Sequence, residues 1–336
     1  MRARIALIGS TADTAIEMFY RSAFQRLGHD VSVFDPESGV PRVLNERVMV
    51  RLTFSQRYLF ADRALLQFFQ RDPRWDAVIV FKGLALSPRA IARCRALTAP
   101  ARWANLNPDN PFDAGRATSS RFVLSAIGLY DHYFIWSRQL VQPLMAAGAR
   151  AASYLPFGYA EEHHFPATER DPQLASAITF VGSYDATRTR MLEPFAGLPL
   201  RIYGSSWERL PRSSPLRRCV AGGIVFGAEL RRVISSSLAS INLLREQNAG
   251  AHNMRTYEVP AMRGLLLTRR SAEQQAVFPE GEASLMFDTQ AELGARIEAL
   301  LSGHVAADAL RERALALSRG HSYTDRAREL LATLLR

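Results

Sequence analysis

Asn253-Met254-Arg255-Thr256-Tyr257-Glu258-Val259-Pro260-Ala261-Met262-Arg263-Gly264-Leu265-Leu266-Leu267-Thr268 is the stretch whose reading decides the fold. Before it, Ala239-Ser240-Ile241-Asn242-Leu243-Leu244 has the length and apolarity of a short buried strand. A loop of small and polar residues, Glu246 to His252, leads into Asn253, Arg255 and Glu258, which open a helix. Gly264 closes that helix, and Leu265-Leu266-Leu267 starts another strand. A strand, a polar loop and a helix N-terminus form an anion site, because unpaired backbone N–H groups and the helix dipole point at the ligand. Glu258, one turn into the helix, is placed to accept hydrogen bonds from paired hydroxyls such as those of a ribose. The alternative is a surface helix with an Arg255–Glu258 pair at i, i+3, worth about 0.2–0.5 kcal/mol.

Outward from this stretch, strands and helices alternate along the chain. Arg4 to Gly9 reads as a strand running through Ser10-Thr11 into a helix, Ala15 to Leu27, and Val31 to Asp35 as the next strand. Val43 to Arg71 carries Leu52, Phe54, Tyr58, Leu65 and Phe69 and reads as one or two helices covering a sheet. Trp75 to Gly83 is a strand, Ser87 to Leu97 a helix opened by Ser87-Pro88, and Arg102 to Pro111 a strand entering a polar loop. Asp131 to Trp136 and Ala152 to Leu155 complete the first set. After Leu155-Pro156-Phe157-Gly158, the alternation restarts at Ala177 to Ser183, Leu200 to Trp207, Ile224 to Gly227, and Ser284 to Phe287. This rhythm predicts an α/β chain with two doubly wound parallel sheets.

The 336 residues accommodate two domains, and the 48% hydrophobic and 22% charged composition is that of a soluble globular protein. No run approaches the roughly 18 apolar residues of a membrane span, and the first strand is too short for a signal peptide, so a cytoplasmic location is expected. Cys94 and Cys219 stand far apart and read as reduced structural thiols. The formal net charge is +10, and Lys82 is the only lysine among 42 basic residues. Such a chain favours anionic partners, including peripheral contact with an anionic membrane. The arginines are scattered without a polybasic block, so no specific nucleic acid is expected.

Ligands of doubly wound sheets bind beyond the carboxyl ends of the strands. Ser10, Thr11, Asp35, Lys82, Asn107 and Asp109 fall there in the first half, whereas His29 falls on the opposite side and reads as a turn residue. Asp109 is the candidate catalytic carboxylate, for proton removal or acceptor positioning, with an Asx-turn role as the alternative. In the second half, Gly182 and Ser183 end a strand just before Arg188 and Arg190, a combination suited to a diphosphate. Tyr203, Gly204 and Trp207 end the next strand, where either aromatic could sit against a base or simply cap the sheet. His163 and His164 are adjacent, cannot face one ion from a helix, and read as surface residues. No metal site is expected.

The assembled motifs resemble glycosyltransferases of GT-B architecture, specifically the CgeB-like (spore maturation) family. The resemblance rests on Tyr154-Leu155-Pro156-Phe157-Gly158, Phe180-Val181-Gly182-Ser183 with Arg188 and Arg190, Ile202-Tyr203-Gly204 with Trp207, and Ile241-Asn242-Leu243. It continues through Arg255-Thr256-Tyr257-Glu258 with Ala261 and Gly264, and ends at His321-Ser322-Tyr323-Thr324-Asp325-Arg326. It covers the second half well and the first half loosely, through Asn107-Pro108-Asp109 and Tyr130-Asp131.

The resemblance implies two Rossmann-like domains facing across a cleft: an acceptor-side domain over residues 1–158, a nucleotide-sugar domain over 159–318, and a terminal helix over 319–336 crossing back to the first. It implies a donor ribose on Glu258, a diphosphate facing Arg188 or Arg190, and phosphate and sugar near His252, Asn253 and Arg255. Ser10, Thr11 and Lys82 would lie on the acceptor side. The reaction implied is metal-independent, cofactor-free transfer from a nucleotide-diphosphate sugar, UDP-sugar favoured, to a glycan, protein or small-molecule acceptor. Related retaining enzymes carry a glutamate seven residues before the ribose glutamate, and here that position is Ala251. The departure keeps open a non-catalytic nucleotide-sugar binder or partner protein, or an epimerase or hydrolase on the same fold.

Overall fold

The computed structural model describes residues 2–40, 54–113, 118–245, 248 and 250–336, with only the backbone for residues 39 and 54–57. Val43 to Thr53 of the expected helical run lie outside the described residues, as do Glu246, Gln247 and Ala249 of the polar loop. The chain divides into two compact units, Met1–Pro156 with Tyr323–Arg336, and Phe157–Ser322.

In the N-terminal unit the order is β1 (Arg4–Ile8), α1 (Ile16–Arg26), β2 (Asp30–Phe34), α2 (Phe54–Arg71), β3 (Ala77–Phe81), α3 (Pro88–Leu97), β4 (Arg102–Asn107), α4 (Arg121–Ala126), β5 (His132–Ile135), α5 (Val141–Ala146) and β6 (Ala152–Tyr154). The strands form one sheet in the order β2-β1-β3-β4-β5-β6, every pair parallel. All five residues of β3, Ala-Val-Ile-Val-Phe, are buried, which is why that run is apolar without alternation. Ser87 caps α3, its Oγ accepting from the Ala90 N–H at 3.2 Å.

The C-terminal unit runs β7 (Ile178–Val181), α6 (Ala186–Leu192), β8 (Leu200–Tyr203), β9 (Val220–Gly222), α7 (Gly227–Ser236), β10 (Ala239–Asn242), α8 (Arg255–Ala261), β11 (Leu266–Arg269), α9 (Ala272–Val277), β12 (Leu285–Phe287), α10 (Gln290–Leu301) and α11 (Ala307–Ser318). Its sheet is also parallel, in the order β12-β11-β10-β7-β8-β9. One apolar core covers the face that includes Phe180, Ile202, Ile241 and Leu267, and a second gathers Val181, Tyr203, Val233 and Leu266 on the other. The last helix, α12 (Tyr323–Leu334), belongs to the N-terminal unit. Tyr323 packs there against Phe19 and Tyr20 at 5.5 and 5.2 Å between ring centroids, and Arg26 donates to Thr324 Oγ1 at 3.0 Å.

Both sheets reverse their winding once. In the N-terminal unit the reversal lies between β1 and β3, and in the C-terminal unit between β7 and β10. Loops leave neighbouring strands in opposite directions at these points, opening a crevice beyond the carboxyl ends. One strand differs from the sequence expectation. The strand is Val220–Gly222, not Ile224 to Gly227. Ile224 is exposed, and Val225 is buried with Leu230 and Val233, so this apolar run plugs the core beneath α7 rather than extending the sheet.

The turn after β8 is unusually tight. Gly204 has φ +146°, and a Cβ there would lie 2.0 Å from the Gly182 carbonyl oxygen. Gly204→Ala is therefore expected to destabilise the protein by about 3 kcal/mol through forced separation of β7 and β8. Urea denaturation measures this, and an unchanged midpoint would refute the close approach.

Candidate functional site

The reversal between β7 and β10 collects most of the polar residues singled out in the second half. Gly182 and Ser183 end β7, and Asp185 caps α6 by accepting from the Thr187 and Arg188 N–H groups at 2.9 and 3.2 Å. The Arg188 side chain then folds back over the crevice. It donates to the Ser183 carbonyl at 3.2 Å and to the Leu243 carbonyl at 3.1 Å, tying the ends of β7 and β10 together. Its Nε is buried and has no hydrogen-bond partner. Burial pushes the Arg188 guanidinium down to about 10, with repulsion from Arg245 and Arg255 outweighing the attraction of Asp185 in direction of effect. Arg188 is still charged at neutral pH, so this crevice holds excess positive potential. Arg190 is exposed and donates to Thr187 Oγ1 at 3.2 Å, so of the two arginines it is Arg188 that reaches the crevice.

The start of α8 is set by a buried polar network. Asn242, the last residue of β10, and Asn253 pair amide to amide at 3.1 and 2.8 Å. Asn253 Oδ1 also accepts from the Thr256 N–H at 3.3 Å, acting as the helix cap. Thr256 and Thr268 both donate to Gln274 Oε1, at 2.8 and 2.9 Å, while Gln274 Nε2 donates to the Arg269 carbonyl at 2.7 Å. The network aims the first turn of α8, with Arg255 and Glu258, back toward β7. There Arg255 Nη1 pairs with Glu258 Oε2, and Glu258 is only 3% exposed. The surface-helix alternative therefore does not describe this segment. Asn253 faces inward to Asn242.

His252 is also built in. It is 1% exposed, its Nε2 accepts from the Phe157 N–H at 3.2 Å, and its Nδ1 lies 2.7 Å from Glu273 Oε2. Accepting at Nε2 leaves the proton on Nδ1 in the neutral ring. Trp207 donates from Nε1 to the Gly182 carbonyl at 2.8 Å and lies within the core with Phe180, and Tyr203 is buried on the opposite face. Both aromatics thus hold the β7–β8 edge.

His164 corrects the sequence reading. It is not a surface residue: it is 2% exposed, and its Nδ1 accepts from the Ala160 N–H at 3.0 Å. No periodicity in the Pro/Gly-rich segment signals this, because the ring is buried against Glu258, which is distant in the chain.

In the N-terminal unit, Lys82 ends β3 in the left-handed region, φ 56°, and its Nζ lies 2.5 Å from Asp109 Oδ2. The sequence placed these two separately, and the fold makes them an ion pair. Asn107 Oδ1 accepts from the Asp109 N–H at 3.0 Å, so the Asx turn is formed by Asn107. Ser10 donates its N–H to Glu17 Oε1 at 3.1 Å, and Thr11 is exposed. Burial raises the Glu17 carboxyl above its ordinary value, against the hydrogen bonds from its own and the Ser10 N–H and the nearby charge of Lys82. Nothing in the helical periodicity of α1 distinguishes Glu17 from an ordinary first-turn acid. Among the described residues, no group of three or more His, Cys, Asp or Glu side chains could hold a metal ion, and no helix is long and apolar enough to cross a membrane.

Residues 188–332 match the family model described as glycosyl transferase-like. The chain has the GT-B fold, and the matched segment is glycosyltransferase-like in sequence. Sucrose-phosphate synthase from Thermosynechococcus elongatus is similar at a TM-score of 0.69 and 15% identity, over 99% of both chains. Anabaena HepE in complex with UDP and glucose is similar at 0.66 and 12% identity, again over 99% of both chains. T4 phage BGT in complex with UDP-glucose is similar at 0.60 and 13% identity, over 98% of this chain and 99% of the other. At these identities the agreement is one of fold. Among proteins of curated function, none matches the chain in sequence. The matched residues include Arg188, Arg245, Arg255 and the whole of α8.

Two outcomes follow for the stability of the protein. Gln274→Leu leaves two buried hydroxyls and a carbonyl without their partner and is expected to cost about 3 kcal/mol, read by urea denaturation; a loss below about 1 kcal/mol would show that the network is dispensable. Burial lowers the pKa of His164, His132 and His29 from 6.5. The unfolded chain therefore binds more protons just below that value, and stability present above pH 6.5 is lost as pH falls through the folded-state values. Thermal unfolding between pH 8 and 5 should show the midpoint falling below pH 6.5; a flat profile would contradict the burial.

Proposed function

We propose that this glycosyltransferase moves a hexose from a nucleoside diphosphate sugar, a UDP-sugar by preference, to a hydroxyl of a glycan, protein or small-molecule acceptor. The observation that carries the reading is Arg188, a half-buried guanidinium whose Nε is buried and unpaired, pushed down by burial and by Arg245 and Arg255 at the reversal of the second sheet. Such a crevice is completed by an anion with several acceptor oxygens, and a diphosphate supplies them. Glu258, buried beside it on α8, offers a carboxylate to the two ribose hydroxyls. The UDP and UDP-glucose held by HepE and T4 phage BGT support uridine as the base.

As the bond between the anomeric carbon and the diphosphate oxygen breaks, negative charge develops on the leaving group. Fixed guanidinium groups stabilise it without reorganising, so the reaction proceeds without a metal ion. Asp109, fixed by Lys82, is the proposed carboxylate on the acceptor side, with Ser10 and Thr11 at the neighbouring strand end. The order of motifs supports the CgeB-like group. The cytoplasm is the proposed location, with the basic surface available to anionic lipid. A second reading, nucleotide-sugar binding without transfer, or epimerisation or hydrolysis, is favoured by Ala251, whose buried methyl stands where related retaining enzymes carry a glutamate.

A thermal-shift screen against UDP, GDP, dTDP, CDP and their sugars tests the donor site. At a hundredfold excess over Kd a ligand adds about 2.7 kcal/mol, or roughly 5–10 °C for a unit of this size. The expected result is a shift selective for uridine nucleotides that Arg188→Met and Glu258→Ala abolish. No shift with any nucleotide would sink the donor site. Product analysis of a bound UDP-sugar with and without acceptors separates transfer from hydrolysis, epimerisation or simple binding.

A further inference from the structure

Glu258 is buried with a second titratable group besides Arg255. His164 Nε2 lies 3.7 Å from Glu258 Oε1, and the two side chains are 1% and 4% exposed. That separation is longer than a hydrogen bond but within reach of one after a small movement. The proton on the ring is assigned by the other nitrogen: Nδ1 accepts from the Ala160 N–H at 3.0 Å, so the neutral imidazole carries its hydrogen on Nε2, facing the carboxylate. Arg255 holds the opposite oxygen, Oε2. The carboxylate therefore stands between two donors on different segments, one from the chain before the second sheet and one from its own helix.

We propose that His164 is a positioning residue for the donor site, its Nε2–H orienting the Glu258 carboxylate to receive the two ribose hydroxyls. This rests on the nucleotide-sugar reading above. A carboxylate held only by Arg255 at i, i+3 can swing with the arginine's long side chain, whereas an imidazole locked by a backbone N–H has a fixed direction. A buried carboxylate also needs donors for its remaining lone pairs, and the Nε2–H supplies one at Oε1 once the 3.7 Å gap closes. The arrangement is acid-sensitive by construction. A second proton would enter at Nδ1, which the Ala160 N–H already occupies, so protonation breaks the contact that aims the ring. The charged and titratable groups acting on His164 are Glu258 and Glu162, which favour protonation, and Arg255 and His163, which oppose it; burial opposes it most.

The test uses the full chain, with UDP as the probe and calorimetric titration between pH 5.5 and 8. His164→Leu is expected to weaken UDP binding about tenfold at pH 8, the loss of one hydrogen bond to a charged group. His164→Gln, whose longer side chain can place an amide N–H near the Nε2 position, should recover most of that loss and should not share the wild-type weakening toward pH 5.5. Equal affinity of His164→Leu and wild type would overturn the proposal, as would failure of His164→Gln to recover binding while remaining folded. Histidine side-chain ¹⁵N NMR gives a readout without nucleotide. The wild-type His164 should show the Nε2–H form, and Glu258→Gln should lower its pKa further. An Nδ1–H form, or a titration unaffected by Glu258→Gln, would overturn the contact. If wild-type protein bound no UDP at all, the donor-site reading and the ribose role would both fall, while the NMR result would still decide whether His164 holds Glu258.

Discussion

The reciprocal amide pair between Asn242 and Asn253 is the interaction on which the crevice of the second sheet depends. It joins the carboxyl end of a central strand to the residue that caps α8, and it does so with every amide group facing a partner of matching polarity. The hydroxyls of Thr256 and Thr268 and the amide of Gln274 extend it to β11. Inside a low-dielectric core a partly satisfied network is costly, so these side chains permit few arrangements other than this one. The position of Glu258 follows from it. A carboxylate one turn along a helix is directed by wherever the helix begins, and the amide pair decides that.

The electrostatics on the facing side of the crevice have the opposite character. The polar network is closed upon itself, whereas the arginines are left with donors to give. Arg188 secures β7 to β10 through two carbonyls and yet retains a buried Nε without a partner. Two more guanidinium groups act on it, and the one carboxylate that opposes them, Asp185, also caps α6. A buried like-charge group is unfavourable in the unliganded protein and becomes favourable when an anion enters, which is the usual stability–function exchange at a binding site. The scaffold tolerates this because the surrounding strands are tied by backbone ladders and apolar faces that do not depend on the charge.

The two units use the same topological device for different chemistry. Each sheet reverses once, and each reversal gathers polar residues at strand ends. In the second, cations dominate. In the first, the chain's single lysine pairs with Asp109 in a turn that Asn107 organises, beside a Glu17 carboxyl raised by burial. Burial disfavours the charged form of Glu17, so it takes up a proton more readily than a free carboxylate does.

The alternation of short apolar runs with helical periodicity was enough to specify two doubly wound sheets, because a strand buried on both faces must be continuously apolar and a crossover helix must be amphipathic. The same rule placed Gly182, Arg188, Arg255 and Glu258 at strand ends, since position after a strand is a property of chain order. Chain order does not say which way a side chain turns. Whether Arg188 or Arg190 reaches the crevice, and whether Tyr203 and Trp207 face a ligand or the core, was settled only by packing around β7 and β8. The apolar Ile224-Val225-Phe226 run looked like a strand because local pattern cannot tell a sheet edge from a plug beneath a helix. Lys82 with Asp109, and His164 with Glu258, are separated by tens of residues and share no periodicity. Such pairs exist only where the fold brings distant segments together, and so the tertiary structure alone decided them.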